Sequence, residues 1–106
     1  DGAKAANTWP TTARWLINGE PTDNRLGIAT KGVYRARLSA TGRAAHSSLP
    51  HLGESAIDKL LDALIAARNV TWPSDPVLGD TNYSVGLIGG GVAPNVISPS
   101  ATAELM

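Results

Sequence analysis

The chain has 106 residues, nine basic and nine acidic side chains and no cysteine, a length that fits one domain with a modest core. Zero formal charge removes the footprint of a nucleic-acid binder, and no apolar run approaches the ~20 residues that span a bilayer. Lack of cysteine excludes a disulfide scaffold or thiolate zinc site, which leaves a cytoplasmic domain with neither nucleic acid nor membrane as partner.

Asp1 opens the chain without a methionine, and Ala103-Glu104-Leu105-Met106 ends it inside a strand-like alternation. Both ends are those expected of a piece of a longer protein. Ala3 to Asn7 reads as the end of a helix, and Trp9-Pro10-Thr11-Thr12 as a loop. Trp15-Leu16-Ile17, bounded by Asn18-Gly19 and Pro21, reads as a short buried strand. The turn-formers Asp23, Asn24 and Gly27 put a boundary near residue 25.

From Gly32 to Thr41 the chain alternates: Tyr34, Ala36, Leu38 and Ala40 against Arg35, Arg37, Ser39 and Thr41. That pattern predicts a strand with one wet face. Its two arginines are either a solvated face or an anion site. Glu54 to Arg68 reads as an amphipathic helix, with Ile57, Leu60, Leu61, Leu64 and Ile65 on one face and Glu54 in the first turn. Asn69, Pro73 and Pro76 end it. Trp72 to Asp80 reads as a loop. Asn82 to Ile88 forms a second strand, with Tyr83, Val85 and Leu87 opposed to Ser84, Gly86 and Ile88, and Gly89-Gly90-Gly91 breaking it. Ala101 to Met106 forms a third. The order β-α-β-β predicts an α+β fold, one helix packed on one face of an antiparallel sheet. It is a ferredoxin-like β-α-β-β-α-β pattern lacking its second helix and fourth strand.

Three spots could carry chemistry. His46 leaves a strand and precedes a helix, with small neighbours that keep its ring accessible; it is a functional imidazole or an ordinary surface residue. His51 reads as surface. Gly89-Gly90-Gly91-Val92-Ala93-Pro94-Asn95 allows close approach by a ligand, with the Asn95 amide beside it, or is a hairpin connection with Asn95 as turn-former. Glu20 follows the apolar run at 15–17 and is a carboxylate at a strand end, either a metal ligand or catalytic acid, or a solvated strand end. It cannot alone make a zinc site, which takes three or four ligands.

Taken together, these motifs resemble the co-catalytic metallopeptidase and deacylase family of acetylornithine deacetylase, succinyl-diaminopimelate desuccinylase, carboxypeptidase G and aminoacylase. Gly19-Glu20-Pro21-Thr22 is similar to the close of that family's catalytic domain. Gly42 to Ile57, with Ala45-His46-Ser47, Pro50, Gly53 and Ala56-Ile57, is similar to the start of its lid domain. Gly89-Gly90, Ala93 and Asn95-Val96-Ile97 are similar to a later lid loop. Two positions depart from the pattern: Ser98 stands before Pro99 where proline often follows directly, and Ser55 stands where asparagine is common.

The resemblance implies that residues 1–25 close a catalytic domain and that 26–106 are a truncated dimerisation, or lid, domain. It implies a parent enzyme hydrolysing N-acyl amino acids or small peptides with two zinc or cobalt ions and a general-base glutamate. Glu20 would be a terminal metal ligand. His46 would reach across a homodimer to the developing oxyanion, and Asn95 would hold the substrate. The base, the bridging aspartate and the metal-binding histidines would lie outside this segment, as would a substrate-gripping arginine just past Met106. The segment alone is therefore expected to be inactive and to hold no metal ion. Lid domains of the family pair edge to edge, and a ferredoxin-like order puts the 82–88 strand at an edge, where unpaired backbone recruits partners. Two other readings stand beside this one. One is a ferredoxin-like binding or regulatory module without a catalytic role. The other makes Ser47 or Ser48 a nucleophile activated by His46.

Overall fold

The computed structural model describes residues 2–6, 8–10, 12–15, 17, 19 and 21–106. A short helix, α1, covers Gly2–Ala6, and the Thr8 hydroxyl and amide both donate to the Ala5 carbonyl behind it, at 2.7 and 3.1 Å. The buried strand expected at 15–17 is not found. Trp15 and Ile17 have no regular structure and are 89% and 95% exposed, and Leu16 lies outside the described residues. Three apolar residues hold a strand only against a neighbouring one, and no strand among the described residues pairs with them. Thr22 to Arg25 form a turn. Asp23 and Asn24 take the left-handed φ values of 52° and 58° that Asp and Asn tolerate best among non-glycine residues.

The folded unit begins at β1, Ala36–Thr41. A 3-10 turn at Pro50–Leu52 leads into α2, Ala56–Arg68. Two more long strands follow, β4 at Val85–Gly90 and β5 at Ser100–Leu105. Between them and α2, the segment expected to be a loop contains a two-stranded hairpin, β2 (Ser74–Asp75) and β3 (Gly79–Asp80). The hairpin closes because Asp75 Oδ1 accepts the Val77 and Leu78 amides at 2.7 and 2.8 Å. Gly79 supplies a φ of 76°. The main sheet has the order β1-β5-β4, antiparallel throughout. β4 therefore lies at an edge, as the ferredoxin-like order requires, and β1 forms the other edge. The α+β class and the single main helix match the expectation.

Burial alternates along β1: Ala36, Leu38 and Ala40 turn toward α2, while Arg37, Ser39 and Thr41 face water. Tyr34, expected in the same row, precedes the strand and is exposed. In β4 the expected alternation is reversed at one point. Val85 pairs with Leu105 and Leu87 with Glu104, so Gly86 is an unpaired extra residue. A bulge of one residue transfers every later side chain to the opposite face. Ile88, opposite Ala103, thus joins Val85 on the helix side, and Leu87 turns to the other face beside Glu104 and Arg37.

The helix starts two residues later than its apolar pattern suggests. Ser55 is the N-cap, its hydroxyl accepting the Asp58 amide at 3.1 Å, as a short oxygen-bearing side chain favours. Glu54 lies outside the helix. It bonds Lys59 Nζ at 2.7 Å, which lowers its carboxyl pKa through that hydrogen bond and charge. The core is small: Ala56, Leu60, Ala101 and Ala103, with Leu38, Ala40, Leu64 and Leu105 packed against it. Only one row of the five-residue apolar face is covered. Leu60 is 3% exposed, whereas Ile57, Leu61 and Ile65 are 36%, 45% and 56% exposed. The helix rests on β1 and β5 and leaves the inner side of β4 open.

Candidate functional site: two loops joined by their backbones

The segment after β1 and the segment before β5 run alongside one another. The Ser47 amide donates to the Asn95 carbonyl at 2.9 Å, and the Ile97 amide to the Ala45 carbonyl at 2.9 Å. His46 forms an antiparallel bridge with Val96 between these bonds. His46 and Val96, 50 positions apart in the chain, are thus held together by main-chain hydrogen bonds of their neighbours. The same segments are tied to the start of α2. Arg43 and Glu54 exchange amide-to-carbonyl bonds at 2.9 Å each, and the Ala56 amide donates to Ser98 O at 2.8 Å. The Arg43 side chain adds a bond from Nε to the Leu52 carbonyl at 2.7 Å.

The His46 ring is exposed, outside the apolar layer. The Ser48 amide donates to Nδ1 at 3.2 Å, and the Ser48 hydroxyl lies 2.8 Å from the same nitrogen. An amide can only donate, so Nδ1 accepts, and the ring hydrogen of the neutral imidazole sits on Nε2. Among the described residues nothing engages Nε2. The arrangement offers a single N–H donor to a ligand's oxygen.

Asn95 is exposed on the paired segment, its backbone carbonyl oxygen taken by the Ser47 amide and its side-chain amide free of any partner among the described residues. An open groove of about 560 Å³ adjoins this crossing. Ser47, Pro94 and Val96 line one side, and Ser55, Ile57 and Asp58 at the start of α2 line another. His51 is exposed in the 3-10 turn.

The three glycines do not act as expected. β4 continues through Gly89 and Gly90. Gly90 is required by packing, since a Cβ there would stand 2.8 Å from the Ala101 Cβ, and Gly91 ends the strand with φ 87°. Their conformational freedom is used for strand pairing and a turn. Glu20 lies outside the described residues. Among the described residues no three His, Cys, Asp or Glu side chains converge as metal ligands would, and no helix is long and apolar enough to cross a membrane. Ser48, weighed from the sequence only as a nucleophile activated by His46, instead gives Nδ1 both its amide and its hydroxyl. The His-x-Ser spacing signals this contact, because a serine two residues on can fold back locally.

Comparison with known proteins gives the wider context. Residues 28–106 match the sequence profile of the peptidase dimerisation domain. A probable carboxypeptidase of Aspergillus terreus is 43% identical over 107 residues, covering 93% of this chain and 25% of that protein. A peptidase M20 domain-containing protein of Schizosaccharomyces pombe is 39% identical over 89 residues, covering 84% of this chain and 22% of that one. The chain thus spans about a quarter of the length of these relatives. Aminopeptidase PepT from Bacillus cereus superposes with a TM-score of 0.52 at 21% identity, over 67% of this chain and 18% of that one, which shows a shared fold. The strand order, the helix that caps it and the extent of the sequence match lead to one assignment: the chain belongs to the peptidase dimerisation domain family.

Proposed function

We propose that residues 26–106 are the dimerisation lid of a cytoplasmic, metal-dependent amidohydrolase acting on N-acyl amino acids or small peptides, and that residues 1–25 close its catalytic domain. The carboxypeptidase and peptidase names of the relatives support a hydrolase acting on amide bonds. The observation that carries the reading is the main-chain pairing of the two loops that bear His46 and Asn95, both exposed, with the His46 Nε2 unengaged among the described residues. In a homodimer formed through the β4 edge, His46 donates its Nε2–H to the oxyanion that develops at the partner's scissile carbonyl, a type of contact that contributes several kcal/mol. Asn95 binds the substrate's carboxylate or carbonyl oxygen through its side chain. Glu20 is assigned as a terminal ligand of a two-ion centre, zinc or cobalt, whose other ligands and base belong to the catalytic domain. Those ions would supply an activated water; the described residues hold no such centre.

The exposed row Ile57, Leu61 and Ile65, with Val85 and Ile88 open across from it, supports a lid whose second helix follows Met106. The test uses the full-length protein. His46→Ala should lower kcat by 100-fold or more, consistent with loss of one oxyanion donor, and leave metal content intact. Mixing that variant with one lacking the catalytic-domain base should restore part of the activity. Full activity in His46→Ala, or no recovery after verified subunit exchange, overturns the reading.

A further inference from the structure

We infer that Ser48 is a positioning residue for His46, fixing both the ring's orientation and the nitrogen that carries its hydrogen; this inference rests on the oxyanion-donor reading above. A histidine on an exposed loop ordinarily samples several rotamers and two neutral tautomers. An oxyanion donor needs one of each. Ser48 supplies two groups to Nδ1, its amide at 3.2 Å and its hydroxyl at 2.8 Å. The amide cannot accept a hydrogen bond, so it opposes any form with a hydrogen on Nδ1. The hydroxyl, donating to the same lone pair, holds the ring over the turn. That turn is itself fixed by the Leu49 amide donating to the His46 carbonyl at 2.9 Å and by the Ser47–Asn95 bond. Nε2–H is then left without a partner among the described residues.

The same contact could instead be taken for a serine nucleophile and its base. Two features oppose that. The Ser48 amide competes for the lone pair a base would use, and among the described residues no carboxylate orients Nε2, as a triad requires.

The experiment uses the full-length protein with Ser48→Ala, Ser48→Thr, His46→Ala and the His46→Ala/Ser48→Ala double variant. Ser48→Ala keeps the amide and loses the hydroxyl, so kcat should fall about 3- to 10-fold with KM unchanged, and Ser48→Thr should recover most of it. In the His46→Ala background, Ser48→Ala should cause no further loss, because its effect passes through the ring. Nitrogen-15 shifts of labelled His46 should report a predominantly Nε2–H imidazole in the native protein and also in Ser48→Ala, which keeps the amide, with an Nδ1 signal displaced by loss of the hydroxyl's hydrogen bond; a predominantly Nδ1–H ring in the native protein overturns the inference. An undiminished Ser48→Ala enzyme, or an equal loss in both backgrounds, overturns the inference. So does a loss as deep as that of His46→Ala, which would make Ser48 the nucleophile. Full activity in His46→Ala alone identifies failure of the oxyanion reading instead, and the tautomer measurement still decides whether Ser48 sets the ring.

Discussion

The Ala56 amide donates to the Ser98 carbonyl at 2.8 Å, fastening the first residue of α2 to the loop that enters β5. Gly42 lies directly beneath this bond. A Cβ on Gly42 would run into the Glu54 carbonyl oxygen and stand 2.8 Å from the Ala56 nitrogen and 2.9 Å from Ser98 O. All three are backbone atoms already in hydrogen bonds, Ala56 N with Ser98 O and Glu54 O with the Arg43 amide, so none can yield cheaply. Gly42→Ala should destabilise by about 2–3 kcal/mol, at the upper end of overpacking costs. A urea titration should show a lower midpoint with an unchanged slope.

Leu60 and Leu61 are neighbours with opposite surroundings. Leu60 is 3% exposed and Leu61 45%. Leu60→Ala should cost about 2–4 kcal/mol in this 106-residue chain, as a cavity in a small core does, whereas Leu61→Ala should cost about 0.5 kcal/mol. In the full-length protein the lid reading expects the two to converge, because a second helix would cover Leu61. Thermal unfolding of the paired variants in both lengths measures this; a Leu61→Ala effect that stays small in the longer chain counts against a helix on that face.

The Ser55 cap gives a cleaner stability probe. Its hydroxyl serves the Asp58 amide alone, so Ser55→Ala should remove about 1 kcal/mol. Ser55→Asp, which keeps an acceptor and adds a charge suited to the helix start, should recover it in chemical denaturation.

Asp75 makes the β2–β3 hairpin sensitive to acid. Two backbone amides, of Leu78 first and Val77 second, hold its carboxyl below the ordinary aspartate range. The unfolded chain therefore binds this proton more readily than the native one, so stability rises with pH across the window. The contribution is fully present above the ordinary aspartate value and disappears as pH falls through the lowered one. Amide exchange of Val77 and Leu78 should accelerate in that acidic window relative to the exchange expected from pH alone, and Asp75→Asn should flatten the dependence.

The homodimer reading places the contact at the β4 edge, where Leu87 stands on the outer face. Leu87→Lys puts a charge on that edge, a device natural sheets use against strand pairing. Sedimentation of the full-length protein should show dimer affinity reduced at least tenfold, with circular dichroism unchanged. A dimer unaffected by the lysine would move the interface elsewhere.

The three long strands, the helix and their order were legible from residue spacing, because periodicities of two and 3.6 residues survive in Ala36 to Ala40 and in Leu60 to Leu64. Three things were not. Gly86 carries no side chain to announce that it is extra, so alternation assigned Leu87 and Ile88 to each other's faces. The row Ile57, Leu61 and Ile65 is apolar whether or not anything covers it, so patterning alone overstated the buried face. The hairpin at 74–80 depends on one aspartate folding back on its own turn, a local bond that competes with any longer pattern. At the candidate site, His46 and Asn95 were singled out from residue type and neighbours. That their loops are paired is a tertiary fact that separate loops could not disclose, whereas the Ser48 contact is local and follows from the His-x-Ser spacing.

Ser47 and Asn95 are joined through an N–H and a carbonyl, groups that every residue but proline supplies in full. Genetic change can therefore exchange the side chains around that junction without loosening it. On the proposed reading, descendants of such a lid alter which ligand they prefer while the two loops stay joined, so chemical step and selectivity are free to evolve apart.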